Sequence, residues 1–116
     1  MENRYSRQLK RGVLEIIVLK MISMGQTYGY ELISRLDRES GGLFLLKEGT
    51  LYPILYRLEE EGLIESRWST PEGRNISKKY YEITQKGTDT LPQLLSLWNE
   101  FSGCVSRLLS AEEETL

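Results

Sequence analysis

Histidine is absent from this 116-residue chain, and cysteine occurs once, as Cys104. Those two shortages remove a large part of protein chemistry. A structural zinc site, a Ser-His-Asp triad and a Cys-His nucleophile all lack their residues. A single thiol cannot build a disulfide framework within the chain. Neither a G-x-x-x-x-G-K phosphate loop nor a G-x-G-x-x-G turn is present. Carboxylate neighbours such as Glu59 and Glu60 do occur, but in an acidic run without apolar surroundings to split their pKa values. The expectation is therefore no enzyme, no metal and no cofactor. Long apolar runs are missing too. The most apolar stretch, Val13 to Ile22, is interrupted by Glu15 and Lys20 and is too short to span a bilayer. The first residues do not read as a secretory signal. The chain is expected to be soluble and cytoplasmic, with no membrane partner.

What remains is ordinary in bulk and uneven in detail. With 40% hydrophobic and 28% charged residues, the composition is that of one globular domain. The net charge of −2 does not by itself point to nucleic acid. Its distribution is more informative. Arg4, Arg7, Lys10 and Arg11 gather at the start, and Arg67, Arg74, Lys78, Lys79 and Lys86 gather later; acid collects in Glu59-Glu60-Glu61 and Glu112-Glu113-Glu114. Segregation of this kind suits one basic face.

Hydrophobic spacing gives the elements. Leu9 to Met24 is apolar nearly all round and predicts a buried helix ended by Gly25. Thr27 is expected to cap a second helix running to about Ser40, with Leu32, Ile33 and Leu36 on one face. Leu43 to Leu46 reads as a brief strand or extended connector. Leu51, Ile54, Leu55 and Leu58 fall at i, i+3, i+4 and i+7 of a third helix, from near Gly49 to Glu61, with Pro53 tolerated in its first turn. Ile64 to Ser69 and Ile76 to Thr84 are strand-like runs around the turn residues Thr70-Pro71-Glu72-Gly73-Arg74-Asn75. Thr84 then caps a last helix, where Pro92 predicts a kink or a fresh start capped by Thr90. The expected fold is mainly α with a small β-hairpin: a winged helix-turn-helix in residues 1–86, then a dimerisation helix and acidic tail in 87–116.

Three constellations carry function in this reading. The third helix offers Thr50, Tyr52, Pro53, Tyr56 and Arg57 away from its core stripe, with Lys47 at its head. Such a set suits a DNA major groove, although Tyr52 also reads as a ring packed under the wing. The hairpin offers Arg74, Lys78 and Lys79 to phosphates, or as lysines guarding a solvated edge. The last helix carries Leu91, Leu94, Trp98, Phe101, Val105 and Leu108 at heptad spacing, which predicts a homodimer. Trp98 has two readings, a core anchor of that dimer or one half of a slot for a planar ligand. In the second, Glu15, Ile16 and Leu19 form side walls. Cys104 reads as a small buried hydrophobe.

The segments Tyr28-Gly29-Tyr30-Glu31-Leu32, Glu48-Gly49-Thr50-Leu51-Tyr52-Pro53-Ile54-Leu55-Tyr56-Arg57-Leu58 and Lys79-Tyr80-Tyr81-Glu82-Ile83-Thr84-Gln85-Lys86-Gly87 resemble the PadR family of transcriptional regulators. The similarity runs from about Lys10 to Leu109, and the single-helix tail looks like the family's smaller subclass. The resemblance implies a winged helix-turn-helix, a C-terminal dimerisation helix, and repression at a palindromic operator in double-stranded DNA. It also implies release by a planar aromatic or phenolic effector held between paired copies of Trp98. The alternative is a winged helix that docks on protein instead of DNA.

Overall fold

The computed structural model describes residues 3–69 and 77–112. The elements run α1 (Arg4–Ser23), β1 (Thr27–Tyr28), α2 (Gly29–Glu39), α3 (Glu48–Glu60), β2 (Ile64–Trp68), β3 (Lys79–Ile83) and α4 (Gln85–Ser110). Three helices followed by a hairpin and a long helix is the expected winged-helix order. The hairpin turn, with Arg74 and Ile76, lies outside the described residues.

Apolar spacing places the helices around one core. Val18, Leu19 and Ile22 of α1, Leu32 and Leu36 of α2, and Leu51, Leu55 and Leu58 of α3 are all buried together. Ile64 and Tyr81 close that core from the sheet side, and Leu91 closes it from α4. The expected division after residue 86 thus falls within α4, whose first turns share the core of the preceding helices.

Three local expectations are corrected, and a fourth is decided between its two readings. Thr27 does not cap α2 by accepting a hydrogen bond. It pairs as a strand residue with Tyr81 in a three-stranded sheet of order β1-β3-β2. Its buried hydroxyl donates to Glu31 Oε1 at 2.6 Å, so the polar group is satisfied. Leu43 to Leu46 forms no strand; a turn and an extended connector lead to α3. Pro53 lies in the second turn of α3, not the first: Leu51 N–H already donates to Lys47 O, so the Gly49 carbonyl is the one left without a helical donor. Both Pro53 and Gly49 are exposed, and water can take that place. Finally, α4 runs unbroken through Pro92, with no restart at Thr90. Leu91, Leu94 and Leu95 pack on the core around this exposed proline and hold the helix across the missing bond.

The junction between hairpin and α4 is tight. Thr84 Oγ1 donates to Gly62 O at 2.6 Å and accepts from Gly87 N–H at 3.0 Å, which caps α4 as its sequence predicts. A Cβ on Gly87 would lie 2.1 Å from Leu63 O and 2.6 Å from Ile83 Cγ1. Only glycine allows α4 to start this close to the chain leaving α3.

Beyond its first turns α4 leaves the body. Its 26 residues span about 39 Å, and the whole chain measures 73 × 35 × 21 Å. The radius of gyration, 17.3 Å, compares with roughly 13 Å for a compact chain of this length. The free half of α4 exposes Leu97, Trp98, Phe101, Leu108 and Leu109. Among the described residues no helix is long and apolar enough to cross a membrane.

Candidate nucleic-acid interface

The start of α2, the outer face of α3 and the wing root converge on one groove of about 480 Å³. Five of the seven tyrosines line it, Tyr28, Tyr30, Tyr52, Tyr56 and Tyr81, together with Trp68, Gly29, Ser77, Lys78 and Lys79. The convergence follows from register. Pairing of Tyr28 with Tyr80 brings the start of α2 beside β3, while pairing of Trp68 with Lys79 sets an indole opposite a lysine at the wing root. Tyr28 and Tyr80 meet edge to face at 5.5 Å.

The lysines rest on these rings. Lys78 Nζ lies 4.4 Å from the Tyr28 ring centroid, and Lys79 Nζ lies 5.9 Å from that of Tyr56 and 5.8 Å from that of Tyr81. Among the described residues neither ammonium has a carboxylate partner, and no carboxylate lines the groove. Among the described residues the two ammonium charges are thus unpaired on this face.

Two tyrosines of the groove serve structure. A Cβ on Gly29 would lie 2.5 Å from the Tyr52 hydroxyl, so that ring is wedged against the start of α2, half-buried. Of its two sequence readings, packing is the one this geometry matches. Tyr81 is 1% exposed, and among the described residues its hydroxyl has no hydrogen-bond partner. Burial, reinforced by Tyr52, Glu59 and Tyr56, pushes its pKa up from 10.0 to about 12.

Lys47, at the N-cap of α3, is exposed, as are Thr50, Pro53 and Tyr56. Arg57 is exposed as well, but its Nε donates to Glu15 Oε1 of α1 at 2.6 Å. That pair engages two predicted site residues with each other. Arg57 lies in the last turn of α3, away from the helix start that a major groove would meet. Arg74 falls outside the described residues.

The residues assigned to the seam and the ligand slot divide. Trp98, Phe101, Val105 and Leu108 are exposed, whereas Leu94 is half-buried against the core and Leu91 is buried inside it. Leu91 is therefore corrected to a core residue with little surface left for a partner. Leu19, expected as a slot wall, is fully buried in the core and has no surface to line one. Ile16 is half-buried. Cys104 is exposed, not buried as its small apolar character suggested.

Sequence reasoning missed Tyr28, Tyr30, Trp68 and Ser77 as groove residues. The pattern Tyr28-Gly29-Tyr30 was legible as a motif, but its partner across the sheet was not. Burial periodicity cannot reveal a two-residue strand.

The comparisons agree with this geometry. The family model for the transcriptional regulator PadR-like family matches residues 18–93. A PadR-like transcriptional regulator from Bacillus cereus is 37% identical, with a TM-score of 0.75 over 90% of this chain and 99% of that one. A PadR family regulator from Eggerthella lenta gives a TM-score of 0.79 at 31% identity, over 90% and 88% of the two chains. The negative transcriptional regulator PadR of Bacillus subtilis is 33% identical over 79 residues, which cover 68% of this chain but only 43% of that protein. With most of its length matched by the family model and its fold shared with solved relatives, this chain belongs to the PadR-like family of transcriptional regulators and is no enzyme.

Proposed function

We propose that the chain is a homodimeric repressor that binds pseudo-palindromic DNA. The observation that carries the DNA half is the groove face, where Lys78 and Lys79, without a salt-bridge partner among the described residues, stand beside the exposed start of α3. In this reading the start of α3, with Thr50, Pro53 and Tyr56, enters the major groove. Lys47, Lys78 and Lys79 meet phosphates, with Arg74 added from the hairpin turn. Repression is supported by the name of the Bacillus subtilis relative, a negative regulator.

The exposed stripe Trp98, Phe101, Val105 and Leu108 supports the dimer. A two-fold axis there sets two α3 helices on one duplex, with half-sites about one helical turn apart or a multiple of it. Release by a planar effector between the two Trp98 indoles belongs to this reading through the exposure of Trp98. Glu15 is not free to offset a cationic effector while it holds Arg57.

The test is a salt titration of duplex binding by fluorescence anisotropy. Each lost phosphate contact lowers the slope of log K against log salt by about 0.9. In the dimer, Lys78→Ala/Lys79→Ala removes four lysines and should therefore flatten it by roughly 4, on all duplexes alike. A wild-type slope near zero would reject DNA binding and favour a protein-docking winged helix.

A further inference from the structure

The α3 and wing contacts leave the first basic cluster of the chain unused. Arg4, Arg7, Lys10 and Arg11 all lie in the opening turns of α1. Cations at a helix N-terminus oppose the helix dipole, so this placement works against the helix that carries it. The only carboxylate of α1, Glu15, is already held by Arg57 at 2.6 Å. Asn3 supports the helix start instead, its side chain accepting from Ser6 N–H at 2.9 Å. Arg4, Arg7 and Arg11 are exposed, and among the described residues none of them has a carboxylate partner. Arg4 rests on the Tyr5 ring at 4.6 Å, which leaves its charge in place.

Helix phase shows which way these charges face. Arg4, Arg7 and Arg11 follow one another at spacings of 3 and 4, and the same row continues at 3 and 4 as Leu14 and Val18. Leu14 and Val18 are buried in the core that α1 shares with α3, whereas no residue of α1 before Leu14 is buried. One side of α1 therefore packs on the body from Leu14 onwards, and the earlier turns of that side overhang it and are basic. Tyr5 and Leu9, both exposed, occupy the other side.

Two contacts give the direction of the overhang. Glu15 meets Arg57 in the last turn of α3. Lys10 Nζ lies 5.8 Å from the centroid of the Phe44 ring, just ahead of Lys47 at the α3 N-cap. From residue 15 back to residue 10, α1 thus passes from the end of α3 to its beginning. The turns before Lys10 carry Arg4 about 9 Å further in that direction, at the helical rise per residue. They project at the end of the molecule where α3 begins.

We propose that the opening turns of α1 are a second phosphate-binding element, in which Arg4, Arg7 and Arg11 hold the DNA backbone beside the half-site that α3 reads. The inference rests on the DNA reading above and adds to it a contact outside the reading helix and the wing. A guanidinium presents its donors to phosphate in a fixed fork, so the row supplies affinity and orientation, with no base preference.

Salt titrations of binding to a 30-base-pair mixed-sequence duplex, read by fluorescence anisotropy, test the row. In the dimer, Arg7→Gln/Arg11→Gln removes four cations and should flatten the slope of log K against log salt by roughly 4. Lys20→Gln, at the far end of the same helix, should leave the slope unchanged. Thermal stability of the arginine variant should stay level or rise, because the lost charges opposed the helix dipole; weaker binding is then no sign of unfolding. Proximity is read by crosslinking. An azidophenacyl group carried by Arg7→Cys in a Cys104→Ser background should crosslink to the duplex, and the same group on Lys20→Cys should not. An unchanged slope in the arginine variant would overturn the inference and leave the DNA reading standing, with an acidic protein surface as the row's partner. A flattened slope without crosslinking would make the arginines a long-range field instead of a contact, and would overturn it too. If the wild type bound no duplex, the DNA reading itself would fall and the inference with it.

Discussion

Leu91 and Leu108 belong to the same apolar stripe of α4, yet the first is 7% exposed and the second 71%. Between them the helix passes from the winged-helix head to a free arm. In the head, apolar side chains find partners within their own chain, and Leu19, Leu32, Leu51 and Leu55 reach complete burial. In the arm, Phe101, Leu108 and Leu109 stand in the open. Burial of one such side chain is worth about 1.5–3 kcal/mol, so a contiguous exposed row is a strong drive towards association. One helix thus does two jobs, stabilising the fold with its first turns and offering a surface with its last. Heptad spacing continues across both, which is why spacing alone assigned Leu91 to the wrong side.

The strongest way to break this comparison is to charge the arm. Phe101→Asp/Val105→Asp places four carboxylates in a symmetric seam, and each unpaired buried charge costs several kcal/mol. The proposed dimer should weaken by far more than a hundredfold, read by analytical ultracentrifugation. Circular dichroism should show the head still folded, because neither residue belongs to its core. If the head unfolded along with the seam, head and arm would be one cooperative unit and the contrast would fail.

Next in size is the head's end of the same helix. Gly87→Ala forces a methyl to within 2.1 Å of a backbone oxygen, where no flexible side chain can yield. Overpacking of that kind costs about 3 kcal/mol. In a chain of this length that corresponds to a fall in Tm of roughly 10 °C or more, by thermal denaturation. A fall of only a degree or two would mean that α4 can lift off Leu63 without loss.

Much of the head was legible beforehand, and the reasons are physical. The i, i+3, i+4, i+7 row in α3 is long enough to fix both period and face, and all four residues are buried. Thr84 was readable as a cap because it stands directly before the helical run, where its hydroxyl reaches a free amide of the first turn. By contrast, β1 is made of two residues and draws its pairing from β3, fifty residues away in sequence, so nothing local encodes it. Pro53 and Pro92 misled because proline's cost is local while the packing that overrides it is not. The site divides in the same way. Exposure of Thr50 and Tyr56 follows from helix phase, but the Glu15–Arg57 pair joins two helices whose approach no spacing reveals.

A smaller effect sharpens the account of the head's interior. Removing the unpartnered hydroxyl with Tyr81→Phe relieves a desolvation cost of about 1–3 kcal/mol and should raise Tm. The pH dependence has a definite sign. The folded pKa, about 12, is above the ordinary 10.0, so the neutral phenol is favoured in the folded state. Its contribution is complete below pH 10 and is lost as pH rises towards 12, with stability falling by on the order of 2 kcal/mol over that window. In urea titrations at pH 9 and 11.5, Tyr81→Phe should flatten the decline attributable to this residue. An unchanged decline would place the alkaline sensitivity in other tyrosines.

The smallest expected effect compares two glycines on one helix. Gly103 sits in the arm, where an added Cβ would meet only the end of the Arg107 side chain, at 3.7 Å. No backbone crowds it and its φ is helical, so alanine there removes the entropic cost of glycine and gains about 0.5–1 kcal/mol. Gly87→Ala and Gly103→Ala are thus the same chemical change with opposite expected signs, decided by what lies opposite each Cα. Thermal denaturation of the two variants at one protein concentration makes the comparison. Repeating the Gly103→Ala measurement across a hundredfold dilution then asks what the partner does. A gain that is constant with concentration means that the partner helix passes clear of Gly103. A gain that turns into a loss at high concentration means that the partner backbone crosses there as closely as Leu63 crosses Gly87, which would locate the dimer axis near the middle of the arm.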